Sequence, residues 1–130
     1  MPVVVGFIPT KEGRAALDRA IEEAKLRSEK LVVVESSKGG EAFAKEGAKF
    51  DEELEKITEQ LKADGVDHEV HGLVRGKDPA GDLVEVADRI GAKLIVIGLR
   101  RRSPVGKLIM GSNSQRILLD ANCDVLAVKP

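Results

Sequence analysis

Tryptophan and tyrosine are absent, three phenylalanines are the only aromatics, and a single cysteine stands at position 123. Each scarcity excludes something. Without Trp or Tyr the chain has little with which to stack nucleobases, so single-stranded nucleic acid is a poor partner. One cysteine closes no intrachain disulfide and cannot supply the several thiolates of a structural zinc site. Lys and Arg number 21 against 22 Asp and Glu, for a formal charge of -1, so no global field draws the protein to nucleic acid or an anionic membrane. No apolar run approaches the ~18 residues that span a bilayer, and the opening MPVVVGFIPT has neither the basic region nor the length of a signal sequence. These absences predict a cytoplasmic protein in a reducing compartment, with no membrane contact.

What is present is aliphatic. With 130 residues, 42% of them hydrophobic and 33% charged, the chain is predicted to form one domain over residues 1–130, its core built of Val, Leu, Ile and Ala. Five short runs read as strands: Val3 to Ile8, Leu31 to Glu35, Val66 to Val74, Leu94 to Gly98 and Asp124 to Val128. Four helical stretches separate them. Thr10 is placed to cap the first, whose Ala16, Leu17, Ala20, Ile21 and Ala24 share a face. The second carries Phe43, Gly47, Phe50, Leu54, Ile57 and Leu61 inward, starts near Gly39 and Gly40, and stops at Asp64 and Gly65. Asp78 and Pro79 open the third and Gly91 closes it. Ser112 to Gln115 has the form of a capping box for the last, which runs to about Ala121.

Strict alternation of strand and helix, with strands that are nearly continuous apolar runs, predicts an α/β doubly wound, three-layer α/β/α sandwich around a parallel sheet. The third strand, which mixes Asp67, His68, Glu69 and His71 among its valines, belongs at a sheet edge.

Ligands of such sheets bind beyond the carboxyl ends of the strands. The loop after the fourth strand, Gly98 to Ser112, combines glycines, the basic run Arg100 to Arg102 and a helix N-terminus, which is the chemistry of a phosphate site. It is not a Walker loop. Gly106 and Gly111 have that spacing, but Ser112 and Asn113 stand where Lys and then Ser or Thr are needed, and no GxGxxG occurs.

On these residues the chain resembles the universal stress protein family, whose nucleotide-binding members carry Gly, two residues, Gly, nine residues, Gly and then Ser or Thr. Gly98, Gly111 and Ser112 match, and Arg101 stands at the second glycine. The run from Gly76 to Val84, Leu94 to Gly98, and Asn122 to Pro130 are similar to the family's segments at the third helix, fourth strand and closing strand. The resemblance implies a five-stranded Rossmann-like sheet of order 3-2-1-4-5 and a homodimer through the C-terminal strand. It further implies ATP or a related adenine nucleotide, with Mg2+ as the companion a triphosphate can carry. The residues so implicated are Pro9, Thr10, Ser36, Gly76, Gly98, Arg101, Gly106, Gly111, Ser112, Asn113 and Ser114. Ile8 stands where the family usually has an Asp that contacts the nucleoside.

Other constellations are weaker. His68 and His71, three apart on a strand, point to opposite faces and cannot share a metal. Cys123 has no His or acid placed to activate it and reads as a small apolar residue. A phosphorylated receiver domain needs acids where Gly6, Phe7 and Ile8 stand. No nucleophile, base and orienting acid emerge together, so an enzyme is disfavoured. A nucleotide-free interaction module and a slow ATP-hydrolysing protein are the two alternatives to a nucleotide-binding regulator.

Overall fold

A computed structural model describes residues 1–8, 10–35, 52, 55–72, 78–99 and 111–130. Its elements follow the predicted alternation: β1 (Val3–Phe7), α1 (Lys11–Arg27), β2 (Leu31–Glu35), a helix α2 described over 55–63, β3 (His68–Gly72), α3 (Pro79–Ile90), β4 (Leu94–Gly98), α4 (Ser112–Asp120) and β5 (Asp124–Val128). All five strands are parallel, in the order β3-β2-β1-β4-β5. The polar strand β3 lies at an edge, as its composition predicts.

Alternation within each strand sorts side chains onto two faces. Val3, Val5, Phe7, Leu31, Val33, Leu94 and Val96 meet Ala16, Leu17, Ala20 and Ala24 of α1 together with Leu61 of α2. On the other side Val4, Val32, Val34, Ile95 and Ile97 meet Ala80, Leu83, Val86 and Ala87 of α3 and Ile117 of α4. Val3, Val4, Val5, Phe7, Leu31, Val33, Val34, Ile95 and Val96 are wholly inaccessible. Burial of each such side chain contributes roughly 1.5 to 3 kcal/mol before conformational entropy is charged against it. Ile57 packs at the margin of the first cluster, while the inward positions predicted at 43, 47, 50 and 54, and the start near 39–40, lie outside the described residues.

Helix ends obey local chemistry. Thr10 Oγ1 accepts from the Gly13 amide at 3.1 Å, Asp78 caps α3 with Pro79 next, and Gly91 closes it at φ 68°. Three boundaries differ from the sequence reading. β1 stops at Phe7 because the Ile8 carbonyl turns to accept the Thr10 amide at 2.8 Å. β3 begins at His68 because the Val66 amide is still closing α2 onto the Leu61 carbonyl, at 3.0 Å. The N-cap of α4 is Gly111, not Ser112, since the Gln115 amide bonds to the Gly111 carbonyl at 3.1 Å, and among the described residues no side chain supplies a cap bond.

Candidate functional site

The strand order reverses between β1 and β4. Their ladder runs only from Val3–Leu94 to Val5–Val96, whereas β1 stays paired with β2 to Phe7–Glu35 and β4 with β5 to Gly98–Val128. The last residues of β1 and β4 thus have different partners, and the carboxyl edge between them is where open α/β sheets hold their ligands.

Thr10, Gly98 and the segment Gly111 to Ser114 all fall on this edge: Thr10 follows β1, Gly98 ends β4, and Gly111 to Ser114 open α4. Topology therefore gathers these six predicted residues at one end of the sheet. Pro9, Ser36, Gly76, Arg101 and Gly106 lie outside the described residues.

The two described glycines of the signature differ in kind. A methyl group at Gly98 would overlap the Glu12 carbonyl, so glycine there lets the first turn of α1 lie against the end of β4. Gly13 does the same against the Ile8 carbonyl. Gly111 has no such duty. Its φ of -65° and ψ of 156° suit any residue, and a methyl group there meets nothing within 4 Å among the described residues. A small residue at that point leaves room for something that is not this part of the chain.

The opening of α4 is chemically receptive. Helix N-termini present amides without intrahelical partners and a positive dipole end, and among the described residues no side chain caps this one. Ser112 and Asn113 are exposed and Ser114 half-buried, which adds hydroxyl and carboxamide donors beside those amides. Across the edge, Thr10 Oγ1 accepts from Gly13 and retains its own O–H to donate.

One further pair lies at this end and escapes sequence reasoning. Arg116 of α4 grips the Asp78 carboxylate with both terminal nitrogens, Nη1 donating to Oδ1 and Nη2 to Oδ2 at 3.2 Å. Asp78 also accepts from the Gly81 amide at 3.4 Å. The guanidinium, and secondarily that amide, hold the Asp78 carboxyl below the usual carboxylate range. The partners are 38 residues apart, so no local spacing betrays them.

Glu69 on β3 accepts from Lys30 and from His71 Nε2, the latter at 3.0 Å, while His68 Nδ1 lies 2.8 Å from the Val66 carbonyl. Lys30 first and His71 second lower the Glu69 pKa. Among the described residues no group of three His, Cys, Asp or Glu could hold a metal ion. Cys123 is half-buried, and desolvation together with Asp124 and Asp88 pushes its thiol up, the reverse of an activated nucleophile. No described helix is long and apolar enough to cross a membrane.

Comparison with known proteins agrees with this architecture. The pattern of the universal stress protein family matches residues 1–129. A universal stress protein of Mycolicibacterium smegmatis is 40% identical over 128 residues, covering 98% of this chain and 97% of the relative. The structure of a universal stress protein from Archaeoglobus fulgidus superposes with a TM-score of 0.81 at 39% identity, covering 99% of this chain and 98% of the other. A second structure, of the Archaeoglobus fulgidus universal stress protein in complex with dAMP, gives 0.74 at 34% identity with the same coverage. Sheet order, signature glycines and whole-chain similarity converge, and the chain belongs to the universal stress protein family.

Proposed function

We propose that the chain is a stress-response regulator that binds ATP or a related adenine nucleotide across the ends of β1 and β4, with the phosphates on the N-terminus of α4. Gly111 carries the reading: neither backbone angle nor packing among the described residues asks for glycine there, but close approach of an anion to the amides of Ser112, Asn113 and Ser114 does. The dAMP held by the Archaeoglobus fulgidus protein supports an adenine nucleotide as the ligand. Thr10 supplies a donor on the β1 side, and Gly98 lets the first turn of α1 lie against the end of β4. Pro9, Ser36, Gly76, Arg101 and Gly106 complete the proposed contacts. A bound triphosphate would bring Mg2+ through its own oxygens.

Residues 1–130 act as one domain in the cytoplasm, and the chain works as a homodimer. β5 is an edge strand whose Val125, Leu126, Ala127 and Val128 are all half-exposed, an open row of backbone groups suited to a second copy. Titration calorimetry with ATP and AMP tests the nucleotide reading. Binding is expected in the wild type, weakened by Gly111→Val and tightened by Ile8→Asp, which restores a carboxylate at the end of β1. No heat from either protein at millimolar nucleotide would overturn it in favour of a nucleotide-free interaction module.

A further inference from the structure

Arg116 lies four residues after Ser112 and three after Asn113, so it shares their side of α4, and long helical side chains lean toward the helix N-terminus. Its charge is therefore anchored one turn after the opening amides, on their side of the helix. That charge is already engaged. Both terminal nitrogens are bound to the two oxygens of Asp78, and the two side chains are equally accessible, at 48% each.

We infer that Asp78 sets how strongly this site ranks nucleotides by their number of phosphates, by holding the Arg116 guanidinium on its own carboxylate and competing with phosphate for it. The inference rests on the adenine-nucleotide reading above. A guanidinium is a planar fork that takes carboxylate and phosphate in the same two-pronged way, so one can replace the other. A carboxylate bears one negative charge and a terminal phosphate up to two, and each further phosphate adds to the pull on Arg116. While Asp78 holds the fork, the pair contributes no net charge to the edge, and the gain from a longer phosphate chain is blunted. The Asp78 carboxylate also caps α3 through Gly81. That second duty makes Asn the informative replacement, because Asn caps a helix as well as Asp and carries no charge.

The test is titration calorimetry of the full chain with adenosine, AMP and ATP at fixed ionic strength, on the wild type, Asp78→Asn, Arg116→Gln and the double variant. Asp78→Ser serves as a second neutral cap, and thermal melts establish that each variant is folded. Asp78→Asn is expected to tighten ATP on the order of three- to tenfold, AMP by less, and adenosine not at all. It should also steepen the salt dependence of ATP binding, and Arg116→Gln should abolish the whole gain. An equal change for all three ligands would mean that Asp78 acts only as a structural cap, and a gain that survives Arg116→Gln would mean a bare field effect. Either outcome overturns the inference while leaving the nucleotide site standing. Absence of binding to every variant at millimolar ligand overturns the site reading, and the inference falls with it.

Discussion

The hydroxyl oxygen of Thr10 lies 3.1 Å from the Gly13 amide, closing the first turn of α1 at the point where the chain leaves β1. The same turn rests on Gly98 through the Glu12 carbonyl. Thr10→Ala should therefore cost about 1 kcal/mol, or roughly 3 to 5 °C of melting temperature, whereas Thr10→Ser should keep most of the cap. Calorimetric melts distinguish them, and equal stabilities for the two variants would contradict the assigned bond.

Gly98 and Gly111 should respond oppositely to substitution. Gly98→Ala forces the end of β4 away from α1 and is expected to destabilise by about 1 to 3 kcal/mol. Gly111→Asp meets nothing within 4 Å among the described residues, sits at an allowed φ and supplies a side-chain cap that Gly111 cannot, so it should raise stability by about 0.5 to 1 kcal/mol. The same carboxylate would occupy and repel the proposed phosphate site, so nucleotide binding should vanish in the more stable protein. Urea melts paired with calorimetry read both effects.

Ser28 closes α1 in the left-handed region, at φ 52° and ψ 43°, with the Glu29 amide on the Ala24 carbonyl at 2.9 Å. A side chain is disfavoured in that conformation, and glycine is the usual solution. Ser28→Gly should stabilise by about 0.5 kcal/mol despite the added freedom of the unfolded chain. A lower urea midpoint for the variant would refute this.

Acid should weaken the link between α3 and α4. The folded carboxyl of Asp78 titrates below its ordinary value of 3.8, chiefly because Arg116 binds its charged form. Its stabilising contribution is complete above the unfolded value and disappears as pH falls through the lowered folded one. Wild type and Asp78→Asn should therefore differ in urea midpoint at neutral pH and converge as acid carries the carboxyl through its lowered folded value. A difference that persists undiminished in acid would assign the effect to something other than this carboxylate.

Charge on the β5 edge should separate the proposed dimer. Ala127→Lys is half-exposed at that edge, and light scattering should report a folded monomer where the wild type is a dimer. A wild-type monomer at micromolar concentration would defeat the arrangement.

Much of this fold is legible because its signals are local. Asp78, Pro79 and Gly91 bracket α3 within a dozen residues, and the charged positions of β3 announce an edge. The sheet order is another matter: alternation alone permits several orders, and only the family resemblance singles one out. Ser112 looks like a cap by composition, yet the start of a helix depends on which carbonyl the fourth amide finds, and that is Gly111. Gly98 reads as a ligand-approach glycine from its motif, while its contact with Glu12 exists only once α1 is laid across β4. The pairing of Asp78 with Arg116 needs two helices brought side by side, and no spacing in the sequence encodes it.

The short ladder between β1 and β4 divides the sheet into two leaves. Among the described residues five pairs join β1 to β2, five β2 to β3 and five β4 to β5, but three join β1 to β4. The seam between the leaves is spanned on one side by α1, which touches β1, β2, β4 and β5. Local opening is favoured where backbone bonds are fewest, so exchange of amide hydrogens with solvent should be fastest, within the sheet interior, along this seam. A molecule seated across the ends of β1 and β4 would stand in for the missing rungs, and its occupancy would be recorded as slowed exchange in strands it never touches.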